Sequence, residues 1–228
     1  MSEKRIIVAI DGPAGAGKST LAKRVAERLG FLHINTGAIY RAVALWALRL
    51  NVALDDMHRL EQLAREARIE LQGDRVLLNG EDVTEEIRES RVSDAASKVS
   101  QVPGVRRALL QVQRGMAEQN SVVMEGRDIG SVVFPEAQVK IFLDADPKER
   151  AKRRAIELAE NGEAREMKSV ASAIHARDER DRRRAESPLV QAPDAELIDT
   201  TKLTPEEVED AVLRIVRART SNGRAAGQ

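Results

Sequence analysis

Gly12-Pro13-Ala14-Gly15-Ala16-Gly17-Lys18-Ser19 fits the pattern G-x-x-x-x-G-K-[ST] at every fixed position, and its flanks decide how it is read. Ahead of it, Arg5-Ile6-Ile7-Val8-Ala9-Ile10 is a short continuous apolar run, the pattern of a strand buried on both faces of a parallel sheet. Behind it, Leu21, Val25 and Leu29 at four-residue spacing predict a helix over Lys18–Leu29 that Gly30 stops. Strand, glycine-rich turn and helix are the context in which this pattern cradles phosphate: successive N–H groups point inward and the helix adds its positive end. Lys18 is then placed to reach the β- and γ-phosphates, and the Ser19 hydroxyl to bind Mg²⁺. The expectation is a nucleoside triphosphate site.

Outward from the loop, residues 31–34 read as a second strand. Asn35-Thr36 then cap a helix whose apolar stripe is Ile39, Ala42, Val43, Trp46, Ala47 and Leu50. The middle departs from this rhythm. Residues 60–67 look helical, but residues 69–71 and 76–78 are strand-like around Gln72-Gly73-Asp74, and Asn79-Gly80 is a hairpin turn. The spacing predicts a small antiparallel meander over residues 69–83, then two helices near 92–101 and 105–119 divided at Pro103-Gly104. Strand candidates return at residues 121–124 and 139–143. Asp146-Pro147-Lys148-Glu149 opens a helix to about Glu160, and an Arg/Asp/Glu-rich helix covers about residues 168–185. A strand at residues 197–199 and a helix opened by Thr204-Pro205-Glu206-Glu207 follow, with residues 220–228 expected to fray. Alternating strands and helices imply a mostly parallel sheet covered on both faces, an α/β protein.

Composition narrows the function. The 228 residues carry 37 Lys and Arg against 37 Asp and Glu, with 2% aromatics and no cysteine. Balanced charge and no aromatic platform argue against a nucleic-acid coat. No disulfide framework or thiolate zinc site is available, and His33, His58 and His175 have no metal-ligand spacing. No apolar run approaches the ~18 residues of a membrane span, and residues 1–5 lead into a strand rather than a signal peptide. A soluble, cytoplasmic protein is expected.

The sequence has neither the Asn-Lys-x-Asp of a GTPase nor the strand-terminal Asp-Glu of a mechanical ATPase. The strand before Glu125-Gly126-Arg127-Asp128 ends instead in an Arg and an Asp, suited to a substrate phosphate and a hydrogen-bonding head group at the carboxyl edge of a sheet. Phosphoryl transfer between polyanions needs positive charge more than covalent help, and Arg forks supply it. Arg41 lies off the apolar stripe of its helix. Arg150, Arg153 and Arg154 share one side of theirs, and Arg177, Asp181 and Arg184 fall at i, i+4 and i+7. A mobile lid bringing arginines over the triphosphate fits this pattern, as does a solvated helix laced with ion pairs.

Together, the segment from Ile10 through Thr20, Thr36-Gly37-Ala38-Ile39-Tyr40-Arg41, Glu125-Gly126-Arg127-Asp128-Ile129-Gly130, Val139-Lys140-Ile141-Phe142-Leu143-Asp144 and Arg177-Asp178-Glu179-Arg180-Asp181-Arg182 resemble the bacterial cytidylate kinases, in order over about residues 5–218. The resemblance implies a P-loop three-layer fold: a five-stranded parallel core, an inserted monophosphate-binding lobe containing a small antiparallel sheet, and a short helical lid. Its implied boundaries are a core of about residues 5–35, 105–146 and 186–219, a lobe of 36–104 and a lid of 147–185. It implies ATP held by Gly12, Pro13, Ala14, Gly15, Ala16, Gly17, Lys18, Ser19 and Thr20, and CMP or dCMP as acceptor. Thr36 and Arg41 would hold the acceptor nucleotide, Ser97, Arg106 and Asp128 its cytosine, and Arg127 its phosphate. Arg177, Asp181 and Arg184 would take its ribose and phosphate. Arg150, Arg153 and Arg154 would be lid arginines, with Lys18, neutralising the transferred group. A monomer without nucleic-acid or membrane partners is implied. Two other readings keep the loop: a kinase for AMP, UMP or a hydroxylated metabolite, and an RNA-associated ATPase using the basic helix.

Overall fold

The computed structural model describes residues 5–160 and 162–225, with side chains described to residue 220. The strands β1 (Ile7–Asp11), β2 (Leu32–Asn35), β6 (Val122–Glu125), β7 (Val139–Asp144) and β8 (Glu196–Asp199) form one parallel sheet in the order β2-β6-β1-β7-β8. Alternate residues of β1 serve opposite faces, as strand geometry requires. Val8 and Ile10 pack with Ile141, Leu143, Leu21, Val25 and Val212, on the face covered by α1 (Lys18–Leu29) and α8 (Pro205–Ala225). Ala9 packs with Ile34, Met124 and Ile129 on the other. The apolar run of residues 6–10 is therefore buried on both sides.

Between β2 and β6 the chain builds a second body. Helices α2 (Thr36–Arg49), α3 (Met57–Glu66), α4 (Ser90–Val99) and α5 (Pro103–Met116) enclose a core around Ile39, Leu45, Leu60, Leu63, Val92 and Leu109. A meander of β3 (Ile69–Gln72), β4 (Arg75–Leu78) and β5 (Glu81–Asp82) closes one side of it through Ile69, Val76 and Leu78. Asn79 and Gly80 both have positive φ (53° and 87°), the conformation that a two-residue hairpin turn with the strands' own twist demands. Val105 and Leu109 of α5 belong to this core, so the lobe reaches past the boundary expected at residue 104.

The third body is a hairpin of α6 (Pro147–Glu160) and α7 (Met167–Arg182), joined by its own small cluster of Ala151, Leu158, Val170 and Ile174. Helix α7 ends at Arg182, short of the expected residue 185, so Arg184 lies beyond the helix and the i, i+7 relation to Arg177 does not apply. Helix α8 starts as expected: Glu207 N–H donates to Thr204 Oγ1 at 3.2 Å and Thr204 N–H to Glu207 Oε2 at 2.8 Å. It runs on to Ala225, through most of the segment expected to fray and past Gly223, with no proline to interrupt it. Residues 226–228, the rest of that segment, lie outside the described residues. Among the described residues no helix is long and apolar enough to cross a membrane.

Candidate active site

The carboxyl ends of β1 and β6 and the start of α2 meet at one edge of the sheet, and the site grows from there. Gly12 leaves β1 with φ 148°, and a Cβ there would lie 2.1 Å from the Leu143 carbonyl oxygen of β7. Only glycine turns the chain so close to its neighbour. Lys18 opens α1 almost fully buried, and its Nζ donates to the Pro13 carbonyl at 2.7 Å, folding the side chain back over the loop. Burial, reinforced by the charge of Arg127, holds this ammonium well below its usual range.

Glu125, the last residue of β6, ties three elements together. Its Oε2 accepts from Ser19 Oγ at 2.8 Å, its Oε1 lies 3.3 Å from His33 Nε2, and its backbone oxygen accepts from Thr36 Oγ1 at 2.7 Å. Burial opposes its charge, but His33, Lys18 and Ser19 outweigh that and hold the carboxylate below its ordinary value. Ser19 and Glu125 make an oxygen donor pair beside the loop, the chemistry a hard divalent cation such as Mg²⁺ prefers. Among the described residues no group of three His, Asp or Glu forms a metal cluster, so such an ion would take its remaining ligands from nucleotide and water.

A cavity of about 600 Å³ opens over the loop, and Arg41 of α2, Arg127, Arg154 of α6 and Arg177 of α7 line it together. Burial lowers Arg41 and Arg177 to about 10 each, and the Nε of both lacks a protein partner. Buried donors left unsatisfied cost about 1–3 kcal/mol each. Guanidiniums converging on one space, two of them with spare donors, are matched to a polyanion.

Behind this wall lies a second polar cluster. Arg106 Nη2 donates to Asp128 Oδ2 at 2.5 Å, and its guanidinium carbon sits 5.4 Å from the centre of the Tyr40 ring. Asp181 accepts from Arg127 Nε at 2.9 Å and pairs with Arg184 Nη2 at 2.7 Å; Ser97 Oγ accepts from Arg180 Nε at 3.0 Å. All of Ser97, Arg106, Asp128, Asp181 and Arg184 are buried. Of the residues expected to meet an acceptor, these five are gathered behind the wall, held by bonds to protein groups, and do not line the open cavity, whereas Arg41, Arg127 and Arg177 do.

The lid arginines separate. Arg154 lines the cavity, paired at 2.7 Å with Glu157, which lines it too. Arg153 lines it too, its guanidinium donating to Thr200 Oγ1 and the Thr200 carbonyl at 2.9 and 2.6 Å. Arg150 does not. It is turned beneath the loop and paired with Asp178, which corrects its placement among the arginines facing the transferred group. Residue 150 shares the side of α6 that carries 153 and 154 but lies one turn nearer the helix N-terminus, where the guanidinium meets the Ala145 and Ala14 carbonyls instead of the cavity.

Four residues at the site escaped sequence reasoning: Asp11, whose carboxylate accepts from Ile129 N–H and Gly130 N–H at 2.8 and 2.7 Å, Asp178, Arg180 and Thr200. Asp11 stands at a strand end beside a glycine, a position that could have flagged it. Nothing local marks Thr200.

Fold and site together define a kinase of the P-loop class, built on a parallel sheet with an inserted lobe and a helical lid. The architecture is shared with a gluconokinase from Sinorhizobium meliloti, 14% identical over 98% of both chains with a TM-score of 0.51, a likeness of fold alone. Sequence is more specific. The family model of cytidylate kinase matches residues 8–218. A cytidylate kinase from Solibacter usitatus is 58% identical over 97% of both chains, and one from Caldanaerobacter subterraneus 51% identical over 93% of this chain and 95% of its own. The chain belongs to the cytidylate kinase family.

Proposed function

We propose that this protein transfers the γ-phosphoryl group of ATP to CMP and dCMP, yielding ADP with CDP or dCDP. The observation that carries the reading is the convergence of Arg41, Arg127, Arg154 and Arg177 on the cavity roofing a phosphate-binding loop, so that a donor and an acceptor phosphate share one positive space. An oxygen of the acceptor phosphate attacks the γ-phosphorus, the bond to the β–γ bridging oxygen breaks, and its electron pair leaves with ADP. That acceptor is already ionised at neutral pH, so no general base is needed and the chain supplies positioning and charge.

Lys18 and the backbone of residues 12–20 bind the donor polyphosphate. Mg²⁺, held through Ser19 with Glu125 beside it, supplies charge neutralisation on the phosphates when bound. Arg41, Arg127 and Arg177 take the acceptor phosphate, Thr36 and the Asp181–Arg184 pair steady its sugar side, and Arg106, Asp128 and Ser97 read its base. Cytosine offers an exocyclic amine to Asp128 and ring acceptors to Arg106. For that the cluster must open and exchange some internal bonds for bonds to the nucleotide. Arg153 and Arg154 hold charge at the transfer point while the lid excludes water. Sheet, lobe and lid divide the chain into core, acceptor-binding and closing parts, with α5 counted to the lobe. Family membership supports a monomer working in the cytoplasm.

The deciding measurement is ADP release with Mg·ATP and, separately, CMP, dCMP, UMP, AMP and no acceptor. Fast turnover confined to the cytidine nucleotides is expected. Acceptor-independent hydrolysis, or a preference for AMP, would overturn the acceptor assignment.

A further inference from the structure

We infer that Arg150 and Asp178 act as a pair of positioning residues for the donor loop, fastening Ala14 by both of its backbone groups. The Ala14 N–H donates to Asp178 Oδ1 at 3.1 Å, and the Ala14 carbonyl accepts from Arg150 Nη1 at 3.0 Å. The same Nη1 donates to Asp178 Oδ2, and Arg150 Nε donates to the Ala145 carbonyl at 3.0 Å. Loop, carboxylate and guanidinium close a ring, with Asp178 1% and Arg150 4% exposed. Next to it, Gly15 brings the loop against α6: a Cβ there would lie 2.8 Å from the Arg150 carbonyl oxygen, and its φ of 74° suits glycine.

A buried ion pair is a poor means of gaining stability, because desolvating two charges offsets most of their attraction; hydrophobic side chains of similar volume often do as well. What the pair supplies here is direction. Ala14 stands inside the phosphate loop, whose N–H groups act only if held where the phosphate oxygens arrive, and small misplacements at such sites are costly. Asp178 comes from α7 and Arg150 from α6, so both lid helices are pinned to the loop at this point. Arg153 and Arg154 follow on the same helix, one turn on. The pinned ring therefore sets the distance between the loop and the arginines that face the cavity, and lid motion is confined to the hairpin beyond it. This inference rests on the reading of residues 12–20 as the donor loop.

The test is a double-mutant cycle on the full chain, with Arg150→Met, Asp178→Leu and both together, reading Tm, KM for ATP and KM for CMP. Each single variant strands a buried charge and loses stability. In the double variant Tm returns toward wild type, while KM for ATP stays raised about tenfold and KM for CMP shifts less than twofold, since a tenfold change needs only ~1.4 kcal/mol of lost loop orientation. A double variant with wild-type KM for ATP, or with equal losses for both substrates, overturns the inference. Asp178→Asn serves as a second arm: it keeps an amide oxygen for the Ala14 N–H, so its KM for ATP should lie well below that of Asp178→Leu at similar Tm. Equal values would overturn the inference even if the double variant did not fold. Lys18→Ala separates the underlying reading, because undiminished ATP binding in that variant would sink the donor loop itself.

Discussion

Arg106 and Asp128 form a 2.5 Å ion pair with side chains only 6% and 9% exposed, at the junction of the inserted lobe and the carboxyl end of β6. Arg106 comes from α5 and Asp128 from the turn after Glu125, so the pair joins lobe to core. Its Arg106 Nε has no protein partner, leaving spare capacity for a ligand atom. Under the proposed function this junction is where the base of the acceptor is read.

Asp128→Ala should therefore raise KM for CMP by one to two orders of magnitude, about 1.4–2.8 kcal/mol of lost binding, with KM for ATP within about twofold. Stability falls as well, by roughly 3–5 kcal/mol, because Arg106 is left buried without its counter-ion. Asp128→Asn keeps an acceptor and should retain more of both. Steady-state kinetics with each substrate varied, alongside urea melts, checks the split; equal losses for ATP and CMP would remove Asp128 from base recognition.

Arg154→Ala should lower kcat about a hundredfold with little change in KM or Tm. Its guanidinium faces the arginine cluster, and its visible partner Glu157 is 58% exposed. Such surface pairs contribute about 0–1 kcal/mol, so a stability loss is not expected, whereas charge aimed at a transition state is worth ~2.7–4 kcal/mol. Single-turnover rates would show whether the chemical step is what slows.

Gly12→Ala should destabilise the chain by at least about 3 kcal/mol and abolish ATP binding. The added methyl would overlap the Leu143 carbonyl at 2.1 Å, and backbone rather than a flexible side chain stands in its way. Chemical denaturation of a purified variant that folds and binds ATP normally would contradict the packing of the loop on β7.

Asp11 titrates at about 6 in the folded chain against an ordinary 3.8, chiefly because burial disfavours its charge while the Ile129 and Gly130 N–H groups only partly restore it. The folded state thus holds this proton more tightly than the unfolded one. Its contribution to stability is present in full below pH 3.8 and is lost as pH rises through about 6. Asp11→Asn should remove that segment of the stability profile. It also leaves only one oxygen for two N–H groups, so the turn carrying Asp128 loosens and KM for CMP rises more than KM for ATP. Thermal melts from pH 4 to 7, compared between wild type and variant, provide the check.

Much of this was legible locally. Glycines at fixed spacing, a flanking apolar run and a four-residue stripe describe β1, the loop and α1 because each is governed by contacts within a few residues. The Asn79-Gly80 turn likewise announces its hairpin, since positive φ at two successive residues is a local demand. Arg41, Arg127 and Arg177, read together from the sequence, line one cavity over the loop. Arg150 shows where such reading ends. Its helix and its side of that helix were evident, but Arg153 and Arg154, three and four residues on, face a cavity while Arg150 faces a buried carboxylate.

Sequence alone determined the phosphate loop, the alternation that makes a parallel sheet and the inserted meander, because these follow from chain-local sterics and hydrophobic period. Tertiary structure decided which charges face each other. Asp178 on the loop, Asp11 on the turn before Gly130, Arg153 on Thr200 and Arg180 on Ser97 join residues 47 to 164 positions apart. An arginine or aspartate has no periodicity that names its partner, and only the burial of both in one place selects a pair.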